Sequence, residues 1–219
     1  MRYSSIINFK INWEAVANQF SNMWNLDKIA TYILHHDADI VCLQEIQDKE
    51  TASIIGKKLW YTYTYTNPTY KYGALIAICS KKSLTSSKKI VCKHWDFTIY
   101  STWEVDFIPV HLHAFSAKIR FEQCQDLSLY IPKNKTVFLW DFNFRQWKDY
   151  FLLGHDKIAH QKLCENYTDQ TSVLPSTTST LKMDRVYTTH IQKNDIQVSV
   201  YQETGKYMDH YPTVIELNQ

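Results

Sequence analysis

The residues able to do chemistry in this chain stand where apolar runs stop. Glu45 closes the run that starts at Ala38, and Asp141 with Asn143 closes the run Thr136 to Trp140. His111 and His113 follow a run that ends at Val110. Asp184 opens a further apolar segment, and Asp209-His210 precedes the last one, Pro212 to Leu217. Asn8 interrupts the β-rich segment Ser5 to Ile11. Any one such residue is commonly a solvated loop acid, but the recurrence at strand after strand points to a shared site. Carboxylate and amide oxygens gathered in one place suit a hard divalent cation, Mg²⁺ with Mn²⁺ as a substitute, better than zinc. Two histidines beside them can donate to a phosphate oxygen or move a proton.

The elements that must position these residues read as alternating strand and helix at the start. Ser5 to Ile11 is a buried strand. Leu26, Ile29, Ala30, Ile33 and Leu34 then recur at helical spacing behind Asn25, an N-cap type, and the helix ends near His35-His36. Ala38 to Glu45 is the next strand, and a more polar helix runs to about Lys58. The middle is strand-like throughout: Tyr61 to Thr66, Gly73 to Cys79, Lys89 to Tyr100 and Thr102 to Val110, which predicts a meander of adjacent strands. The basic stretch Lys81 to Lys93 predicts a solvated hairpin loop, with phosphate-backbone contact as its functional alternative. A helix over Ser116 to Tyr130, a buried strand Thr136 to Asp141 and an aromatic-rich helix to about Leu163 follow. Glu165 to Thr180 reads as a polar surface loop. Strands near Met183 to Thr189, Asp195 to Tyr201 and Pro212 to Leu217 close the chain.

Composition sets the outer bounds. The 219 residues, 45% hydrophobic and 21% charged, are globular rather than disordered in composition and predict one domain over residues 1–219. With 24 basic against 22 acidic residues, bulk charge cannot attract a polyanion, so any such site is local. Four glycines, against an average near ~7%, exclude glycine-rich phosphate loops. The five cysteines (Cys42, Cys79, Cys92, Cys124, Cys164) form no Cys-x-x-Cys pair, which predicts free thiols. With neither a membrane-length apolar run nor a secretory leader pattern, the expectation is an intracellular protein, cytoplasmic or nuclear, and a monomer.

Taken in order, Asn8, Leu43-Gln44-Glu45, His111-Leu112, Asp141-Phe142-Asn143, Met183-Asp184-Arg185 and Asp209-His210-Tyr211-Pro212 resemble the motifs of the endonuclease/exonuclease/phosphatase superfamily, the deoxyribonuclease I-like fold. The resemblance spans residues 8 to 212. It implies an α/β four-layer sandwich, two packed and mostly antiparallel sheets with helices on both outer faces, and a site at one end of the sheets. It also implies Mg²⁺-dependent hydrolysis of a phosphate ester by in-line attack of water. On that resemblance, Glu45 is the metal-binding glutamate, with Asn8 and Asp209 beside the metal. Asp141 and Asn143 orient the water and hold the phosphate, His210 bonds the scissile phosphate, and Asp184 orients His210. His111 matches the histidine at the end of the central strand, with His113 as the alternative. A partner aspartate favours the cationic imidazole, which with the metal would stabilise transition-state charge.

Two positions depart from the family pattern: Trp140 stands where glycine is usual before Asp-x-Asn, and Met208 where serine is usual before Asp-His. Tyr72 occupies the place of a frequent glutamate and is similar to the phosphate-contacting tyrosine of exonuclease III-type members. Asp184-Arg185 resembles the Asp-Arg pair of the deoxyribonuclease, deadenylase, sphingomyelinase and inositol-phosphatase branches. Asp141-Phe142-Asn143-Phe144-Arg145 is similar to a run in inositol polyphosphate 5-phosphatases and tyrosyl-DNA phosphodiesterases, which would bring Arg145 to the substrate. The expected substrate is therefore nucleic acid, DNA or RNA, engaged by Lys81, Lys82, Lys88 and Lys89 and by aromatics such as Trp95, Trp103 or Trp147. An inositol-polyphosphate 5-phosphatase-like or sphingomyelinase-like phosphoesterase, acting on a phosphoinositide or other phosphoester, and a catalytically silent binding member of the fold stay open as alternatives.

Overall fold

The computed structural model describes residues 4–10, 30–31, 33–46, 48–68, 75–144, 154–171, 176–177, 181–202 and 210–218. Among these residues, two six-stranded sheets carry the fold. The first is ordered β11 (Ile196–Val200), β12 (Thr213–Leu217), β1 (Ser4–Lys10), β2 (Ile40–Ile46), β4 (Leu75–Ser80), β3 (Tyr63–Pro68). The second is ordered β5 (Thr85–Ile90), β6 (Phe97–Ser101), β7 (Asp106–His111), β8 (Thr136–Asp141), β10 (Asp184–Thr189), β9 (Thr168–Asp169). Each sheet is antiparallel except for one central pair, β1 with β2 and β7 with β8. The second of these is joined by a crossover helix, α2 (Ala117–Leu129), as parallel neighbours require.

Side-chain alternation along the strands builds the four layers. In β2, Val41 and Leu43 face a helical layer with Ala30, Ile33, Ala52 and Ile55, the last two from α1 (Lys49–Lys58). Ile40 and Cys42 face inward to meet Phe107, Val137, Leu139 and Val186 of the other sheet. On the second sheet's outer face, Ile108, Val110, Phe138 and Tyr187 pack under α2 and α3 (Gly154–Cys164) through Cys124, Leu127, Ala159 and Leu163. Ser116 caps α2 by accepting from Ile119 N, and Asp48 caps α1 by accepting from Thr51 N. Gly56 has a packing reason: a Cβ there would fall 2.2 Å from Thr64 Oγ1, so only glycine lets α1 lie this close to β3.

Several expected elements change when packing decides them. The middle strands are not one meander: β3 and β4 join the first sheet while β5, β6 and β7 join the second. The run Lys89 to Tyr100 breaks at residues 91–96, and the basic stretch is not a loop but contributes strand β5 at the sheet edge. Exposed Lys88 and Lys89 suit that place, because lysines on an edge strand discourage pairing with another chain. All five thiols are free; Cys42, Cys79 and Cys124 are buried, whereas Cys164 is exposed. Among the described residues, no helix is long and apolar enough to cross a membrane.

Candidate active site

Register brings three of the candidates into one row. In the second sheet, His111 is paired with Asp141 across β7 and β8, and Asp141 with Asp184 across β8 and β10. Glu45 arrives from the end of β2, and His210 from the segment that enters β12, both in the other sheet. The site therefore straddles the seam where the two sheets end.

Asp141 is its centre. Its Oδ1 accepts from Asn143 N at 2.8 Å, while Oδ2 lies 3.8 Å from His111 Nε2 and 4.0 Å from His210 Nε2. His111 Nε2 is also 3.8 Å from Glu45 Oε1. His210 Nδ1 meets Asp184 Oδ2 at 2.8 Å. An ionised carboxylate only accepts, so Nδ1–H donates and Nε2 is left facing the Asp141 side. Asp141, Asp184, His111 and His210 are buried, and Glu45 keeps a quarter of its side chain exposed.

Local backbone geometry aims these groups. Glu45 has φ 55° and lies where the β2–β4 register shifts, so a bulge turns its side chain out of the strand's alternation. Asn143 has φ 53° and sends Nδ2 to Leu112 O at 2.9 Å. Leu112 N in turn donates to Asp141 O at 2.9 Å, so the residues after β7 and β8 hold each other. Left-handed non-glycine residues cost energy and persist where surrounding contacts over-determine them.

Two contributors escaped the sequence reading. Ser176 and Thr177, in the stretch read as a surface loop, are buried. Ser176 Oγ accepts from Met183 N at 3.0 Å and Asp184 N at 2.9 Å, Ser176 O accepts from Tyr211 N, and Thr177 forms a bridge with His210. That short segment ties Asp184 to His210. Arg120 makes a buried bidentate pair with Asp156 at 2.9 and 2.8 Å and donates from Nη1 to the carbonyls of His113 and Ala114, at 2.9 and 3.2 Å. Partners 36 residues apart in sequence leave no local signal.

Of the other expected residues, His113 packs on Trp95 with rings 6.2 Å apart, leaving His111 beside the carboxylates. Asn8 has its backbone in β1 opposite Cys42 and Thr213. Arg185 reaches Asp169 at 3.4 Å. Tyr72, Arg145, Trp147, Met208 and Asp209 lie outside the described residues. Asp141, Asp184 and His210 each offer a donor atom, all within 4.8 Å of one another. Glu45, which meets this row through His111 Nε2, brings a further carboxylate to the same end of the sheets, and carboxylate oxygens are the donors a hard divalent cation takes.

Comparison with known proteins follows the same lines. The model of the endonuclease/exonuclease/phosphatase family matches residues 22–207. Among solved structures, an AP endonuclease from Archaeoglobus fulgidus superposes with a TM-score of 0.76 at 13% identity, covering 99% of this chain and 100% of that one. An endonuclease/exonuclease/phosphatase from Beutenbergia cavernae gives 0.75 at 14% identity, covering 100% and 72%. A humanized D. rerio TDP2 gives 0.70 at 15% identity, covering 99% of each chain. No curated protein matches the sequence.

Proposed function

Because this chain belongs to the endonuclease/exonuclease/phosphatase family, we propose that it is a divalent-cation-dependent phosphodiesterase that cleaves nucleic acid by in-line attack of water. The observation that carries this reading is the row His111, Asp141 and Asp184 on one sheet facing Glu45 and His210 from the other. Asp141, whose Oδ1 accepts from Asn143 N, orients the attacking water and takes its proton. His210, its Nδ1–H held by Asp184, turns Nε2 toward the scissile phosphate and meets the charge that grows there. On the family resemblance Asn143, Tyr72 and Arg145 would contact the phosphate; His111 lies 3.8 Å from the carboxylates of both Glu45 and Asp141. Glu45, with Asn8 and Asp209, would hold Mg²⁺ or Mn²⁺. Bound there, the ion supplies electrostatic stabilisation of the transition state.

Nucleic acid is favoured over a lipid or an inositol phosphate for two reasons. One is that an AP endonuclease and TDP2 are among the structures this chain resembles. The other is local charge: Lys88 and Lys89 line a groove of ≈ 420 Å³ between the edge strands of the two sheets, with Tyr65, Asn67, Thr98 and Tyr100. A chain of near-neutral net charge needs such a local phosphate track.

The test is hydrolysis across plasmid DNA, single-stranded DNA, poly(A) RNA, a phosphoinositide and sphingomyelin in Mg²⁺ and in Mn²⁺, with His210→Ala as control. Cleavage of a nucleic acid is expected, slowed about 10²–10³-fold in the variant. Turnover of only the phosphoinositide or sphingomyelin would overturn the substrate. Silence across the panel despite measurable Mn²⁺ binding would overturn the catalytic reading.

A further inference from the structure

The loop that leaves the site after His111 carries a short ladder of rings. His94 meets Trp95 edge-on at 6.3 Å, Trp95 stacks on His113 at 6.2 Å with an interplanar angle of 25°, and His113 meets Phe115 at 6.3 Å and 80°. The last ring is 78% exposed. Isolated exposed apolar residues are ordinary on protein surfaces, and Trp60 and Trp103 are as exposed as Phe115. Phe115 differs from them in what stands behind it and in where it stands.

Behind it, the loop is held rigid. His113 Nδ1 accepts from both Phe115 N (3.2 Å) and Ser116 N (3.0 Å), and His113 N donates to Gln123 Oε1 at 3.0 Å. Arg120 Nη1 holds the carbonyls of His113 and Ala114. An imidazole nitrogen that accepts twice carries no proton, so this ring is the neutral tautomer. Burial, and after it the Arg120 guanidinium, also depresses the His113 pKa. Trp95, His113 and Phe115 thus form an uncharged aromatic ledge on a loop whose backbone is held before any ligand arrives, and little backbone ordering entropy remains to be lost on binding.

Its position is equally specific. Phe115 is four residues beyond His111, a span of at most about 14 Å, and Leu112 between them is bonded to Asp141 and Asn143. Phe115 is therefore within a few nucleotides' reach of the site, on the loop that leaves it.

Building on the nuclease reading above, we propose that Phe115, backed by His113 and Trp95, is a stacking platform for a nucleobase within a few nucleotides of the scissile phosphate, and that the substrate is unpaired nucleic acid. A base can lie on a protein ring only after leaving its own stack, which single strands and frayed ends permit at low cost.

Binding in metal-free buffer separates the inference from the reading it rests on. The probes are a 5′-labelled decathymidylate and an abasic oligomer with the same phosphates, followed by fluorescence anisotropy. The thymidylate is expected to bind about tenfold more tightly than the abasic oligomer. Phe115→Ala should abolish that preference and Phe115→Trp should retain it, with unchanged circular dichroism in both. Equal preference in Phe115→Ala and the wild type overturns the platform even if nucleic acid is cleaved. Failure to bind either oligomer, together with no nucleic-acid cleavage, overturns the nuclease reading and the platform with it.

Discussion

At the start of β7 the chain closes on itself through short hydrogen bonds between near neighbours, and at its other end ionisable groups from distant segments meet. Before Asp106, Thr102 Oγ1 accepts from Glu104 N and Val105 N, Thr102 N and Oγ1 donate to Val105 O, and Asp106 Oδ2 accepts from Asn134 Nδ2 at 3.1 Å. Past Val110, His111 lies 3.8 Å from each of two carboxylates, and Asp141 Oδ2 is 4.0 Å from His210, all beyond hydrogen-bond reach. Buried ionisable groups held apart are costly. Bonds one step further out, from Ser176, Leu112 and Arg120, hold the backbone of this end in place.

That contrast can be broken first at the α2–α3 link. Arg120→Ala strands a buried Asp156 and should cost about 3–5 kcal/mol in urea unfolding. A paired Arg120→Met, Asp156→Leu variant should recover most of that stability. A smaller effect sharpens it. Ser176→Ala leaves two backbone donors unsatisfied beside Asp184 and should lose about 1–3 kcal/mol together with turnover. Thr102→Val, at the far end, should lose about 1 kcal/mol with turnover unchanged. Matched turnover losses in the two variants would erase the distinction between the ends.

The last expected effect is on pH dependence. Burial, then Arg185, depresses the pKa of His160, which is hydrogen-bonded to Tyr187 at 2.6 Å. Below about pH 6.5 the unfolded chain takes up a proton that the folded one resists. Stability should therefore fall as pH drops from about 6.5 toward the folded-state pKa, by at most about 1.4 kcal/mol per pH unit for this group. Urea midpoints at pH 5 and 7 should show the loss. His160→Gln should reduce it without removing it, since His113 shifts in the same direction.

Much of the site could be read before any fold was known. The strand Thr136–Asp141, the helix behind Ser116 and the acids closing strands all follow from local patterns, because alternation, capping and turn chemistry act within a few residues. Sheet membership could not be read this way. Tyr-Thr and Lys-Ser alternation fits an edge strand of either sheet, and only packing sent β3 to one and β5 to the other. His111 and His113 look alike in sequence; the end of β7 turns the first toward Asp141 and the loop turns the second onto Trp95. Ser176 reads as loop because its partners, Asp184 and Tyr211, lie far along the chain. The sequence by itself determined which chemical groups exist and their order along the chain. The tertiary structure decided which of them meet, because burial, register and the hydrogen bonds between distant segments are properties of the packed chain alone.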